Sequence, residues 1–393
     1  MLTLANPSRK NRHIDATTVI VHLTKNNRCY KSKVVSLPSN KRCQMEAELP
    51  YFDAKILDQK PFFIAEIGQN HQGDLELAKS LLREFARVGA SAVKFQMRNN
   101  RMLFSENNYN RAYDSENAFA VTYGEHREQL ELTIDEFQTL HELAASLNCA
   151  FMVTPFDEMS LKNIIELDVD IIKIASFDLG NIPFIEKICK YNKPTVLSVG
   201  GGKPEQIKAS VDILSSLDDF AILHCVSEYP CPADKLNLSQ ISSLKTAYPQ
   251  AVIGVSDHFS GISSGPVSYM LGARVFEKHV TFNRAAKGTD HAFSLLPEGF
   301  RKFVRDVHNT SAMLKKPRDH NLGEEPVFQK LGKKLTAAED INAGARISSN
   351  NLSFVITEEA GIAVRDSYTV INKFAKNKIR KGDTIKPHDL LDK

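Results

Sequence analysis

The chain has 393 residues, 42% of them apolar and 25% charged, with 50 Lys and Arg against 47 Asp and Glu. That length exceeds one typical domain and points to two; a net charge of +3 implies no nucleic-acid partner, and no apolar run is long enough for a membrane span. The six cysteines (Cys29, Cys43, Cys149, Cys189, Cys225, Cys231) form no CxxC pair, which fits reduced thiols in a cytoplasmic protein better than a disulfide framework.

Residues 1–60 differ from the rest. They carry 11 Lys and Arg against 5 Asp and Glu, and Asp15 is the one acid before Glu46. The acid-poor opening MLTLANPSRKNRH raises an organelle transit peptide. It is poor in serine and lacks an amphipathic period, so a basic cytoplasmic extension is the expectation. TTVIVHL and KSKVVSL are candidates for two short strands within it.

From residue 61 apolar runs alternate with helical patterns. The runs are FFIAEIG (62–68), AVKFQM (92–97), AFMVTPF (150–156), IIKIAS (171–176), PTVLSVG (194–200), AILHCVS (221–227), VIGVSDH (252–258) and RVFEKHV (274–280). Near-continuous apolarity is what strands buried on both faces require. Between them LELAKSLLREFARVG (75–89), DEFQTLHELAASL, PFIEKICKY, PEQIKASVDILSSL and EGFRKFVRDV repeat apolar residues at three and four. Eight strand–helix units over about 250 residues predict a (β/α)8 barrel at 61–314. A doubly wound open sheet is the alternative, but the first turn, GQNHQGD, lacks GxGxxG spacing.

In such a barrel, polar residues at the carboxyl ends of the strands converge on one face. Here those ends offer Glu66 and Asn70, Lys94 and Gln96, Thr154, then Lys173, Ser176 and Asp178. Ser198, His224, Ser227, Tyr229, Ser256, His258 and His279 follow. Lys94 and Lys173 interrupt apolar runs, where a lysine is costly, and with the hydroxyls of Thr154, Ser176, Ser198 and Ser256 they compose an anion site for phosphate or carboxylate. His258 alone reads as a hydrogen-bonded structural histidine. His279 at the end of the next strand makes the pair a candidate for a divalent ion with open coordination positions. Asp257 and Glu277 could support the imidazoles, unless strand alternation turns them outward. Glu66 is either a general base or the partner of a lysine across the ring. Anion site, metal and carboxylate together imply condensation or elimination on a phosphorylated acid.

KKPRDHNLGEEPVFQ (315–329) is polar and reads as a linker. Beyond it, INAGARISSNNL (341–352) and IRKGDTIKPHDL (379–390) share the pattern I-x-x-G-x-x-I-x-x-x-[ND]-L at a spacing of 38 residues. Two copies imply a small pseudo-symmetric domain at 330–393 rather than a solenoid.

FFIAEIGQNHQGD, YGEHRE (123–128), TPFDE (154–158), IIKIASFD (171–178), LSVGG (198–202), LHCVSEYP (223–230), GVSDH (254–258), EKH (277–279) and KGTDHAFS (287–294) resemble, in order, the landmarks of the sialic acid (N-acetylneuraminate) synthases. The tail repeat resembles the antifreeze-like (SAF) domain of that family. The resemblance covers residues 61–393. It implies a transferase that condenses phosphoenolpyruvate with N-acetylmannosamine or a related N-acylated mannosamine and releases inorganic phosphate by C–O cleavage. It further implies that His258 and His279 hold a divalent ion, Mn²⁺ by family habit with Mg²⁺ or Co²⁺ as alternatives. Lys94, Thr154, Lys173, Ser176, Ser198 and Ser256 would bind phosphoenolpyruvate. Glu66 would be the acid–base carboxylate, and Asp178, Ser227, Tyr229 and Asp290 would approach the substrates. A homodimer whose tail domains cover the partner barrels is implied too.

Three positions depart from the family pattern. Ser227 replaces a common asparagine and Asp178 a glutamate. Within FVITEEAGIAVRD (354–366), Thr357 stands where a tail arginine is usual, with Arg365 nearby but out of register. These departures bear on the acceptor. A diacetamido-trideoxyhexose, as in legionaminic or pseudaminic acid synthesis, is the alternative sugar. A pyruvate aldolase or lyase and a non-catalytic sugar-binding relative are the alternative classes.

Overall fold

A computed structural model describes residues 50–314 and 326–391, together with the backbone of four short strands between residues 19 and 35. Val19–Val21 pairs antiparallel with Lys33–Val35, within the two runs expected to be strands. The opening residues that bear on a transit peptide, and residues 315–325 of the expected linker, lie outside the described residues. The chain divides into two compact units, residues 1–313 and 314–393. No helix among the described residues is long and apolar enough to cross a membrane.

The first unit is a closed barrel of eight parallel strands: β1 (Phe62–Gly68), β2 (Ala92–Met97), β3 (Ala150–Pro155), β4 (Ile171–Ile174), β5 (Thr195–Ser198), β6 (Phe220–Cys225), β7 (Val252–Asp257) and β8 (Val275–His279). They pair in chain order, and β8 closes on β1. Helices follow each strand, from Leu75–Arg87 after β1 to Pro297–Met313 after β8. The segment between β2 and helix Ile134–Ser146 holds three further short helices, among them Tyr123–Glu128, which carries the YGEHRE stretch.

Strand periodicity sorts the core into two clusters. Ile64, Ala92, Met152, Ile171, Val196, Leu223, Val252 and Val275 point inward and fill the barrel. Phe63, Val93, Phe151, Ile172, Leu197, Ile222, Ile253 and Phe276, one residue along in each strand, point outward into the helical layer. Both faces are buried, so the sequence shows continuous apolarity although the side chains alternate.

The barrel floor is closed from outside the strands. Phe52 and Leu57 belong to the inner cluster, and Phe52 packs edge-on against Phe62 at 5.7 Å. The carboxylate of Asp219 anchors this plug by accepting the backbone N–H groups of Tyr51 (2.7 Å) and Phe52 (2.9 Å). Helix Ala54–Gln59 follows, started by Asp53, whose side chain accepts from Lys55 and Ile56 N–H groups. The barrel unit therefore begins before residue 61, earlier than composition alone places it.

In the second unit, helix Pro326–Leu331 spans the boundary expected at 329–330, and β9 (Lys333–Ala337) pairs antiparallel with β10 (Leu352–Ile356). The two repeats meet. Ile341 and Ile379 exchange both backbone hydrogen bonds at 2.8 and 2.9 Å. Gly344 and Gly382, the matching glycines, have φ of +77° and +89°, a conformation glycine adopts without the Cβ penalty. Ile341, Ile347, Ile379 and Ile385 are buried together, as pseudo-symmetry requires.

Phe52→Ala removes the aromatic part of the floor plug. It is expected to cost about 3–5 kcal/mol of stability, read as a lowered midpoint in denaturant, while ligand binding at the opposite end of the barrel persists at low temperature.

Candidate active site

Polar side chains take over the inward positions above the apolar layers. Glu66, Lys94, Gln96, Thr154, Lys173, Ser198, Cys225, Ser256, Glu277 and His279 line a cavity of roughly 260 Å³ with Ser176, Tyr229, His258 and Asp290 from the loops that follow. Of the residues expected from sequence, Ser227 and Asp178 do not line it. Ser227 Oγ lies 3.1 Å from Ser176 Oγ, and Asp178 accepts a 2.8 Å hydrogen bond from Asn181. His224 is turned the other way, with Nε2 2.8 Å from the Leu236 carbonyl, because its strand parity is outward. Cys225 takes the cavity position instead. Asn70 commits its amide to the Val280 carbonyl (2.9 Å) and Ser294 (3.1 Å).

Charge is concentrated at the bottom of the cavity. Lys94 Nζ lies 2.8 Å from Glu66 Oε2 and 3.4 Å from Glu277 Oε1, with all three side chains about 5% exposed or less. The pairing of Glu66 with a ring lysine, one of two roles left open by the sequence, is thus present. Burial pushes Lys94 down, but the two carboxylates outweigh it and its pKa is raised. Burial pushes Glu277 up, yet Lys94 and Lys173 hold it at about 2. Lys173 donates to the Ile174 carbonyl at 2.7 Å, and desolvation wins there, lowering it to about 8 against the pull of Glu277. Ser198 Oγ is buried without a hydrogen-bond partner, an unmet donor facing the cavity among these lysines.

Glu66 is oriented by a relay. Gln96 Nε2 donates to Glu66 Oε1 at 2.6 Å, and Arg98 donates to Gln96 Oε1 at 2.5 Å, which fixes the direction of the amide. Arg98 stacks 3.9 Å above Phe156 and is lowered by burial to about 10, so it remains cationic at neutral pH. Gly68, at the register shift after Glu66, has φ +55°, and a Cβ there would stand 3.0 Å from Glu66 Oε1 and 3.2 Å from Gln96 Nε2. Glycine leaves the room in which the carboxylate sits.

His258 and His279 meet at the other side, with ring centroids 5.4 Å apart. Tyr229 covers His258 at 4.1 Å, and Phe293 lies 4.9 Å from His279. Burial, with His279 adding to it, lowers His258 to about 4, so its imidazole is neutral at physiological pH. Its Nδ1 lies 2.8 Å from the Val226 carbonyl, which it reaches as a donor; the lone pair is then on Nε2. His279 Nδ1 is buried without a hydrogen-bond partner, 3.6 Å from Asp290 Oδ2. Two neutral imidazoles, one with an orphaned ring nitrogen, fit a divalent ion whose remaining positions go to substrate and water. No group of three or more His, Cys, Asp and Glu with ligating geometry occurs among the described residues, so the protein's share of the coordination is partial.

Glu277, Arg98, Arg127 and Gln69 line the cavity without having been assigned a place in it from sequence. Glu277 was legible, since it stands two residues before His279 and shares its parity. Arg127 comes from the short helix Tyr123–Glu128 and is held by Gln69 Oε1 at 2.6 Å; no strand-end pattern points to it. Four cationic side chains against three carboxylates leave the cavity with one net positive charge.

A family model described as the NeuB family matches residues 81–319, and one described as the SAF domain matches residues 334–391. The N-acetylneuraminate-9-phosphate synthases of Mus musculus and Homo sapiens are each 34% identical over 326 residues, 82% of this chain and 91% of theirs. The N,N'-diacetyllegionaminic acid synthase of Legionella pneumophila is 32% identical over 82% of this chain and 93% of its own. Among solved structures, the N-acetylneuraminic acid synthetase of Leptospira borgpetersenii aligns with a TM-score of 0.60 at 33% identity, covering 68% of this chain and 90% of that one.

Lys173 attracts an anion only as the ammonium, which it loses as pH rises through about 8. The Kd for phosphoenolpyruvate is therefore expected to hold steady from pH 6.5 to 7.5 and to rise towards tenfold per pH unit above 8. Calorimetry across that range checks this. Lys173→Arg should flatten the dependence because the guanidinium does not titrate there.

Proposed function

The chain belongs to the NeuB family of nonulosonic acid synthases, and we propose that it condenses phosphoenolpyruvate with an N-acylmannosamine-type sugar. The observation that carries this reading is the buried charge knot of Lys94, Glu66 and Glu277, with Lys173 and the unpartnered Ser198 hydroxyl beside it. Phosphoenolpyruvate brings up to three negative charges. One net positive charge in the cavity and a divalent ion bound to His258 and His279 would offset them.

In this reading Lys94, Lys173, Thr154, Ser176, Ser198 and Ser256 hold the phosphate and carboxylate, fixing the enol above the barrel floor. A divalent ion (Mn²⁺, with Mg²⁺ or Co²⁺ as alternatives) would polarise the aldehyde oxygen of the open-chain sugar. C3 of the enol then bonds to the aldehyde carbon, whose oxygen becomes a hydroxyl. Water adds at C2, and Glu66, fixed by Gln96 and Lys94, accepts its proton. The C2 hydroxyl of the resulting adduct collapses to a ketone, and the C–O bond to phosphate breaks. The buried lysines stabilise the charge that moves onto the leaving phosphate.

Acceptor choice rests on groups nearer the mouth: Tyr229, Asp290 and Arg127 in the cavity, with Asp178 and Ser227 beside it. Phosphoenolpyruvate contributes three carbons ahead of the sugar's six, so a phosphate on O9 of a product was on O6 of its acceptor. The names of the mouse and human relatives therefore favour the 6-phosphate of N-acetylmannosamine as one candidate beside the free sugar. The Legionella relative favours a diacetamido-trideoxyhexose as the second reading.

The reading includes a homodimer in which each tail domain covers the partner's barrel. The exposed Phe354, Val355 and Ile356 of β10 support it, since three consecutive exposed apolar residues ask for a cover.

Two measurements test the proposal. Purified protein with phosphoenolpyruvate, Mn²⁺ and each of the three acceptors should release phosphate with one of them and yield a product heavier than that acceptor by the pyruvyl unit. No phosphate release with any N-acylated mannosamine would defeat the reading. Glu66→Gln should lower kcat by at least a hundredfold while changing the Kd for phosphoenolpyruvate by less than tenfold.

A further inference from the structure

Asp257 and Lys278 each stand one residue from a histidine of the site, and neither faces the cavity. They are partners in the β7–β8 ladder. Their parity sends both side chains outward beneath the helical layer, where almost every neighbouring position is apolar. There they form an ion pair at 2.9 Å, 1% and 0% exposed. A buried pair of this kind is a poor source of stability, because desolvation consumes most of the attraction. What it supplies is direction.

The contacts around the pair converge on the three residues that carry His258. Asp257 Oδ1 accepts the Phe259 N–H at 2.9 Å, and Oδ2 accepts Ser264 Oγ, at the start of helix Ser264–Leu271. Lys278 donates to Asp257 Oδ2 and again to the Phe259 carbonyl. β7 ends at Asp257, so His258 lies beyond the ladder whereas His279 is the last residue of β8. Besides the pair, His258 is held through its Nδ1 by the Val226 carbonyl and through its own carbonyl by the Cys231 N–H at 3.1 Å. Those two contacts tie it to the segment after β6. The Asp257–Lys278 pair alone ties its backbone to the strand of the other histidine.

We propose that Asp257 and Lys278 are positioning residues, a clamp on the outside of the barrel wall that sets the spacing of His258 and His279 inside it and with it the affinity for a divalent ion. The inference rests on the reading that those histidines hold the ion.

The test uses the full chain and Mn²⁺ as the probe, with free Mn²⁺ followed by electron paramagnetic resonance. Lys278→Met leaves Asp257 buried without its cation and is expected to lower the melting temperature as well as Mn²⁺ affinity. Asp257→Asn with Lys278→Met removes both charges and is the decisive variant. It should melt within a few degrees of the parent yet bind Mn²⁺ at least tenfold more weakly, with its Kd for phosphoenolpyruvate in the absence of metal changed less than twofold. A double variant that binds Mn²⁺ within twofold of the parent overturns the clamp and leaves the metal reading standing. A double variant that does not fold also overturns it, since the pair then serves the fold and not the site. A parent protein that binds no Mn²⁺ removes the metal reading, and the clamp with it.

Discussion

A β-strand shows one face at every second residue, and closing eight of them into a ring makes that rule decide everything inside the ring. Ile64 and Glu66, Ala92 and Lys94, Val275 and Glu277 are pairs on the same side of the same strands. The first of each lies low and packs the floor, and the second lies high and charges the cavity. The site is thus the continuation of the core by other side chains, and its rigidity comes from the packing beneath it. Shifting any strand by one residue would exchange Glu277 for Lys278 and Ser256 for Asp257, replacing the anion cradle by the outer-wall ion pair.

Low dielectric makes this economy workable. Two lysines and two glutamates at the cavity floor are tolerable only as a cluster, because each charge is the solvent of the next. The cluster leaves unequal residues. Lys94 is committed to two carboxylates, while Lys173 has a backbone carbonyl and an easily lost proton. A polyanion entering the cavity finds one lysine already oriented and one whose charge it strengthens. Glu66 is held from two sides, by Lys94 and by the Arg98–Gln96 relay, which keeps its oxygens in place when the lysine turns to substrate.

Much of this was legible in the sequence. The eight apolar runs correspond to the eight strands within a few residues, and eleven of the thirteen expected site residues line one cavity. Buried strands advertise themselves by apolarity, and lysines inside them are conspicuous. Parity was the information left unused. Counting by twos from Lys94, Ser256 or His279 places Glu277 inside with the histidines and sends Asp257 and His224 out. Two other features were beyond any strand rule. Arg127 arrives from a short helix in the long segment between β2 and Ile134–Ser146, and the floor plug at Tyr51 and Phe52 is attached by Asp219, about 170 residues away. Contacts of that span leave no local pattern. The tail repeat was plain because its glycines and isoleucines recur at equal spacing, and pseudo-symmetric pairing of Ile341 with Ile379 is what the spacing demanded.

The fate of one oxygen separates a phosphoenolpyruvate-condensing site from any other use of the same cradle. Phosphoenolpyruvate labelled with ¹⁸O at the bridge between C2 and phosphorus should, on turnover with the accepted sugar, deliver its label to inorganic phosphate. That follows from water adding at C2 and the C–O bond breaking over Lys94 and Lys173. Unlabelled phosphate would mean P–O cleavage and a pyruvate intermediate, and would contradict the role given to the buried charges of this barrel.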